Sequence, residues 1–127
     1  MKVTDLMVGD WILINNIPHK IQAIDSIDAE IQADDELYYV GEDRHHSEDN
    51  IEGILITPEI LEKNGWKDRE NLMELMVNED TCFRWTNGYG SFSNQNGCYM
   101  YDFKYVHTLQ HLLRHYEFNE LADNFKV

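Results

Sequence analysis

The chain has 127 residues, with 24 acidic against 10 basic side chains, a net charge of −14 and a pI near 4.6. That balance argues against direct binding to nucleic acid or anionic membrane, because phosphate and headgroup contacts need clustered Lys and Arg. A hydrophobic fraction of 43% and an aromatic fraction of 12% exclude a disordered chain, and no apolar run approaches the ~18 residues of a membrane span.

The length suits a single domain over 1–127 with its own core. Met1–Asp5 lacks the apolar stretch of a secretory signal, and Cys82 and Cys98 are too few for a disulfide framework. The expectation is a cytoplasmic protein with reduced cysteines. Acidic surfaces suit basic protein partners, cations, or solubility alone.

In chain order, 1–56 reads as mainly β. Gly9-Asp10 is a turn, Trp11–Asn15 a buried strand, and Asn15-Asn16 a second turn followed by Pro18. His19–Ile24 returns as the other arm of a hairpin. Ala29–Ala33 and Leu37–Val40 read as further short strands, a spacing that suggests a small, curved, barrel-like antiparallel sheet. Between Asp25 and Glu52 eleven acids face one base, Arg44, and residues 42–50 form a polar loop.

The clearest local grammar lies at 51–66. Ile51–Ile56 is apolar and β-branched, Thr57 is an N-cap, Pro58 a first-turn proline, and Asn64-Gly65 a helix stop. These predict a strand, a corner and a short helix within 57–66. Residues 68–77 leave helix and strand open, since Leu72, Met73, Leu75 and Met76 fit neither period cleanly. Residues 81–103 form a β-meander, with strands at Cys82–Trp85, Ser91–Ser93 and Cys98–Phe103, and turns at Asn87-Gly88 and Asn94–Gly97. Residues 105–118 form the main helix, because Val106, Leu109, Leu112, Leu113 and Tyr116 fall on one face. A short helical tail or loose end follows Asn119. The fold class is therefore α+β, with the meander packed on the main helix.

Three segments, MKVTDLMVGDWILIN, ILITPEILEKNGW and FKYVHTLQHLLRHY, resemble a family of small uncharacterised proteins of gut bacteria and their phages or prophages. The resemblance implies a shared fold and a mobile-element setting. The family has no assigned activity, so no catalytic residue is carried over. Its last helix often reads His-Glu-Leu-Gln-His; here the residues are His107-Thr108-Leu109-Gln110-His111, without the glutamate.

Three constellations bear on function. His107, His111 and His115 recur every four residues and form one helical stripe, whose adjacent pairs have zinc-ligand spacing. Without the glutamate general base of H-E-x-x-H, the stripe reads as solvated surface on the side away from the apolar face, with a metal-dependent enzyme as its sharper alternative. His45-His46 reads as part of the solvated loop. The meander aromatics, Trp85, Tyr89, Tyr99 and Tyr101 among them, are core or else a platform for a small ligand such as a nucleotide. The acids Asp34, Asp35, Glu36, Asp43, Glu48 and Asp49 form the strongest negative cluster. Paired carboxylates are too abundant here to mark acid–base chemistry, and the Asp25–Glu36 run lacks the EF-hand glycine.

The leading functional expectation is a non-enzymatic acidic binding protein that engages a basic surface of a protein partner, as an inhibitor or nucleic-acid mimic in a phage–host setting. No cofactor, nucleic-acid or membrane contact is expected, and self-association is left open.

Overall fold

The computed structural model describes residues 2–40 and 49–127. The fold is α+β as expected, with eleven strands in antiparallel sheets and three α-helices among the described residues. None of the sheets closes, so the barrel-like reading of the N-terminal strands is corrected to two separate three-stranded sheets. By their contacts the residues fall into two compact units, one of 1–54 with 106–124, the other of 55–105 with 125–127.

In the first unit, β1 (Trp11–Ile14) pairs with β2 (Ile17–Lys20) and with β6 (Ile51–Gly53). The β1–β2 turn, Asn15-Asn16, has both residues at positive φ, 51° and 69°, as a tight two-residue hairpin of the observed twist requires. The return arm expected at His19–Ile24 divides. β2 ends at Lys20, and β3 (Ala23–Asp25) joins β4 (Glu30–Ala33) and β5 (Glu36–Tyr39) in a different sheet. Ile21 lies at the break. It is 2% exposed, and its backbone bonds both ways to the loop, Gly9 N to Ile21 O at 2.8 Å and Ile21 N to Asp10 O at 2.9 Å. Alternation puts Ile12, Ile14, Ile31 and Ala33 inward, where they join Val3, Leu6 and Val40 in one core.

The main helix, α2 (Val106–His115), and the short α3 (Asn119–Asp123) belong to this first unit by contact. Within this unit α2 packs on β1 and α3, and Val106 N donates to Ile54 O at 2.8 Å.

In the second unit, α1 (Pro58–Lys63) is the expected short helix. Thr57 Oγ1 accepts from Ile60 N at 3.2 Å, Pro58 fills the first turn, and Gly65 sits at φ +87°. Asn64 does more than end the helix: its Nδ2 donates to Ile60 O and to Lys126 O, both at 2.8 Å, and its Oδ1 accepts from Lys126 N at 2.8 Å. Nothing lies within 4 Å of a Cβ built at Gly65, so Gly65→Val meets only the backbone cost of positive φ. A loss of about 1 kcal/mol is expected; an unchanged chemical-denaturation midpoint would show that the left-handed stop is dispensable.

The stretch 68–77, whose sequence fits neither period, is β. β7 (Lys67–Arg69) and β8 (Leu72–Asn78) form a hairpin closed by Glu70 and Asn71, at φ 48° and 74°. They extend the meander, β9 (Thr81–Thr86), β10 (Tyr89–Asn94) and β11 (Gly97–Asp102), into a five-stranded sheet of order β11-β10-β9-β8-β7. Register places Met73, Leu75, Phe83, Trp85, Gly90, Phe92, Tyr99 and Tyr101 on one face. Phe83 and Phe92 meet at a tilt of 45° with ring centroids 4.8 Å apart, and Trp66 meets Phe83 at 6.3 Å. The other face is mixed: Arg84 Nε donates to Glu74 Oε2 at 2.9 Å, and Met76, Tyr89 and Met100 stand exposed on it.

Candidate functional site

The densest polar cluster joins the Gly9-Asp10 loop to α2. Gly9 adopts φ +92°, and Asp10 folds back on the loop, its Oδ2 accepting from Met7 N at 2.8 Å. Asp10 is fully buried, a state that a carboxylate tolerates only when paired and hydrogen-bonded. Its partners come from the helix: Arg114 Nη1 donates to Oδ1 at 2.8 Å, and His111 Nε2 lies 2.6 Å from Oδ2. Arg114 Nη2 faces Asp123 Oδ1 of α3 at 3.6 Å. Beside them Gln110, also fully buried, accepts from Trp11 N at 2.9 Å and donates to Gly9 O at 2.9 Å and Ala122 O at 3.0 Å. One amide thereby satisfies backbone groups of the loop, of β1 and of α3.

This cluster was not foreseen from the sequence. The available signal was Gln110: at about 100° per residue it falls between Val106 and the buried edge of the helix, where a polar side chain needs partners. Asp10, with its carboxylate engaged by Arg114, His111 and Met7 N, serves as an anchor for the loop and the two helices.

The histidine stripe is corrected on one point. His107 is buried, 7% exposed, whereas His115 is exposed and packs edge-on against Tyr116 at 4.9 Å. The reason is angular. Each four-residue step advances about 40° around the helix, so the stripe starts at the buried edge and crosses to solvent. The His107 and His111 rings meet edge to face at 5.9 Å, and His111 Nε2 is committed to Asp10. Among the described residues no group of three His, Cys, Asp or Glu side chains is gathered as metal ligands would be.

Burial lowers the His107 pKa below its ordinary 6.5, reinforced by neighbouring His111 and opposed by the nearby Asp10 and Asp5 carboxylates. The unfolded chain therefore takes up this proton at a higher pH than the native one does. Below about pH 6.5 the unfolded state binds more protons, so stability falls as pH falls through that window. His107→Leu should remove part of this acid-side slope. Equal slopes of unfolding free energy against pH in wild type and variant would contradict the assignment.

The acidic residues divide into those the structure describes and those it does not. Asp34 and Asp35 form the β4–β5 turn at φ 50° and 62°, and with Glu36 they stand exposed at its tip. Asp34 pairs with His19, and Glu36 accepts from Tyr38 OH at 3.0 Å. Asp49 Oδ2 accepts from Tyr39 N at 3.1 Å, and its charge adds to the Glu36 hydrogen bond and the Glu36 and Asp34 charges in raising the Tyr38 pKa. Asp43 and Glu48, like His45-His46, lie outside the described residues. Charge is unevenly shared: sixteen of the 24 acids and four of the 10 bases belong to the first unit, leaving it at −12 and the second at −2.

The meander aromatics divide between core and surface. Trp85 is 7% exposed, and its Nε1 donates to Phe103 O at 2.9 Å, so it is core. Tyr99 and Tyr101 share its face, but Tyr89, 62% exposed, lies on the other. No family profile matches the chain, and neither a curated protein nor a solved structure does.

Proposed function

We propose that the chain is a non-enzymatic acidic binding protein that engages a basic surface of a protein partner through the first unit, with the Asp34-Asp35-Glu36 tip at the contact. The observation that carries this reading is the −12 charge of that unit together with the exposure of the tip. Turn chemistry adds to it. A two-residue hairpin turn takes glycine, asparagine or aspartate at positive φ, and here both positions are aspartate, which sets two carboxylates side by side at the tip. No helix among the described residues is long and apolar enough to cross a membrane.

Association with a basic surface should be steered by the field of this unit and weaken as salt rises. The test is affinity capture from the native host with the wild type and with a variant carrying Asp34→Lys, Asp35→Lys and Glu36→Lys, each in low and high salt. A basic protein held by wild type in low salt, and lost with the variant or in high salt, is the expected result. A partner retained by the variant in high salt would overturn the reading.

A further inference from the structure

The second unit carries a different kind of surface. Among the described residues its five-stranded sheet ends in two unpaired edge strands, and they are built in opposite ways. At one edge every residue of β7 is charged, Lys67, Asp68 and Arg69, the usual means of discouraging edge-to-edge pairing. At the other, β11 reads Gly97-Cys98-Tyr99-Met100-Tyr101-Asp102, with no lysine, proline or bulge and one charge at its last position. Tyr99 and Met100 are 43% and 74% exposed.

The direction of its backbone groups follows from one bond. Phe103 N donates to Gly88 O at 2.9 Å, toward the β9–β10 turn. Groups alternate along a strand, so Tyr101, Tyr99 and Gly97 face β10, while Cys98, Met100 and Asp102 turn theirs outward. Among the described residues nothing pairs with β11 on that side.

We infer that β11 is the pairing edge of a two-fold homodimer, in which two copies meet antiparallel with Met100 opposite its counterpart and the two sheets become one. Charge selects the occupant. A basic partner is drawn to the first unit at −12, whereas a strand whose one charge is the terminal Asp102, on a unit at −2, suits another strand of equally low charge. This strand supplies its own match. The register about Met100 uses all three outward residues, with Cys98 opposite Asp102 of the other copy. It keeps the two Asp102 side chains about 13 Å apart along the strands, beyond the screening length of about 8 Å. Tyr99 of each copy then faces Tyr101 of the other, and both belong to the apolar face of the sheet.

The test is sedimentation equilibrium over a range of concentrations. The wild type should approach twice 15.0 kDa. Because both copies are acidic, the dimer should strengthen with salt, the opposite of the partner binding proposed above, so the two readings fail separately. Met100→Pro removes an outward N–H without touching the β10 ladder, and Met100→Lys places a charge opposite its own copy; either should leave a folded monomer by circular dichroism. Met76→Lys, at an exposed methionine on the inner strand β8, should leave the dimer intact. Met100→Cys with Cys98→Ser should cross-link on mild oxidation. A wild type that remains monomeric at every concentration, or a dimer that survives Met100→Lys, would overturn the inference.

Discussion

Asp10→Ala is expected to destabilise the first unit by about 3–5 kcal/mol, the range for removing one member of a buried charged pair. The loss has three sources. Arg114, whose side chain is 12% exposed, keeps its charge and loses the Nη1 acceptor at 2.8 Å. The Met7 N–H loses the carboxylate that folds the loop back, and His111 loses its partner at 2.6 Å. Relief of the stranded charge should recover part of the loss, so Asp10→Ala with Arg114→Met should be more stable than Asp10→Ala alone. Denaturant unfolding of the two single variants and the double variant measures the coupling. A single Asp10→Ala variant within about 0.5 kcal/mol of wild type, the ordinary range for a surface change, would show that the carboxylate is no anchor.

Local signals were legible where one residue type answers one backbone demand. Thr57, Pro58 and Gly65 marked α1 because a cap, a first-turn proline and a left-handed stop each require particular chemistry. Asn87-Gly88 and Asn15-Asn16 marked hairpins for the same reason. At Asp34-Asp35 the flanking strands Ala29–Ala33 and Leu37–Val40 mark the turn, whereas Glu70-Asn71 puts an acidic residue and an asparagine at positive φ without the usual glycine. Without that signal, Leu72–Asn78 had no visible turn before it, and its mixed burial blurred the two-residue period.

The site was less legible because its members are far apart in sequence. Asp10 and Arg114 are separated by 104 residues, and Trp11 and Gln110 by 99. No spacing rule reaches across that distance. The histidine stripe was legible as a stripe, and its surface reading fails only at His107, since a helix packed along a wide face buries side chains that lie well off its apolar centre line. Net charge was legible as a total. Its concentration in one unit was not, because residues 106–124 fold with the N-terminal strands and add three acids to that unit against Arg114.

Gly90→Ala should be the most damaging single methyl in the second unit. A Cβ at Gly90 would lie 2.3 Å from Phe103 Cε1, 2.4 Å from Phe103 Cζ and 2.8 Å from Arg84 O. The first two distances require the ring to move, and the third sets the methyl against backbone. The ring has little room to retreat. Phe103 is 3% exposed, its N–H is bonded to Gly88 O, and its carbonyl accepts the indole N–H of Trp85, which is itself 7% exposed. Shifting Phe103 therefore disturbs the end of the meander and the tryptophan beneath it together. Overpacking of this kind costs about 3 kcal/mol, at the upper end of the usual range. Smaller partners should restore part of it: Gly90→Ala with Phe103→Leu should lose less than the sum of the two single changes, since each relieves the clash that the other feels. Tryptophan fluorescence across a denaturant titration reads the effect through Trp85. Strict additivity of the two changes, or a Gly90→Ala midpoint equal to wild type, would show that the glycine is not what lets Phe103 lie over the strand.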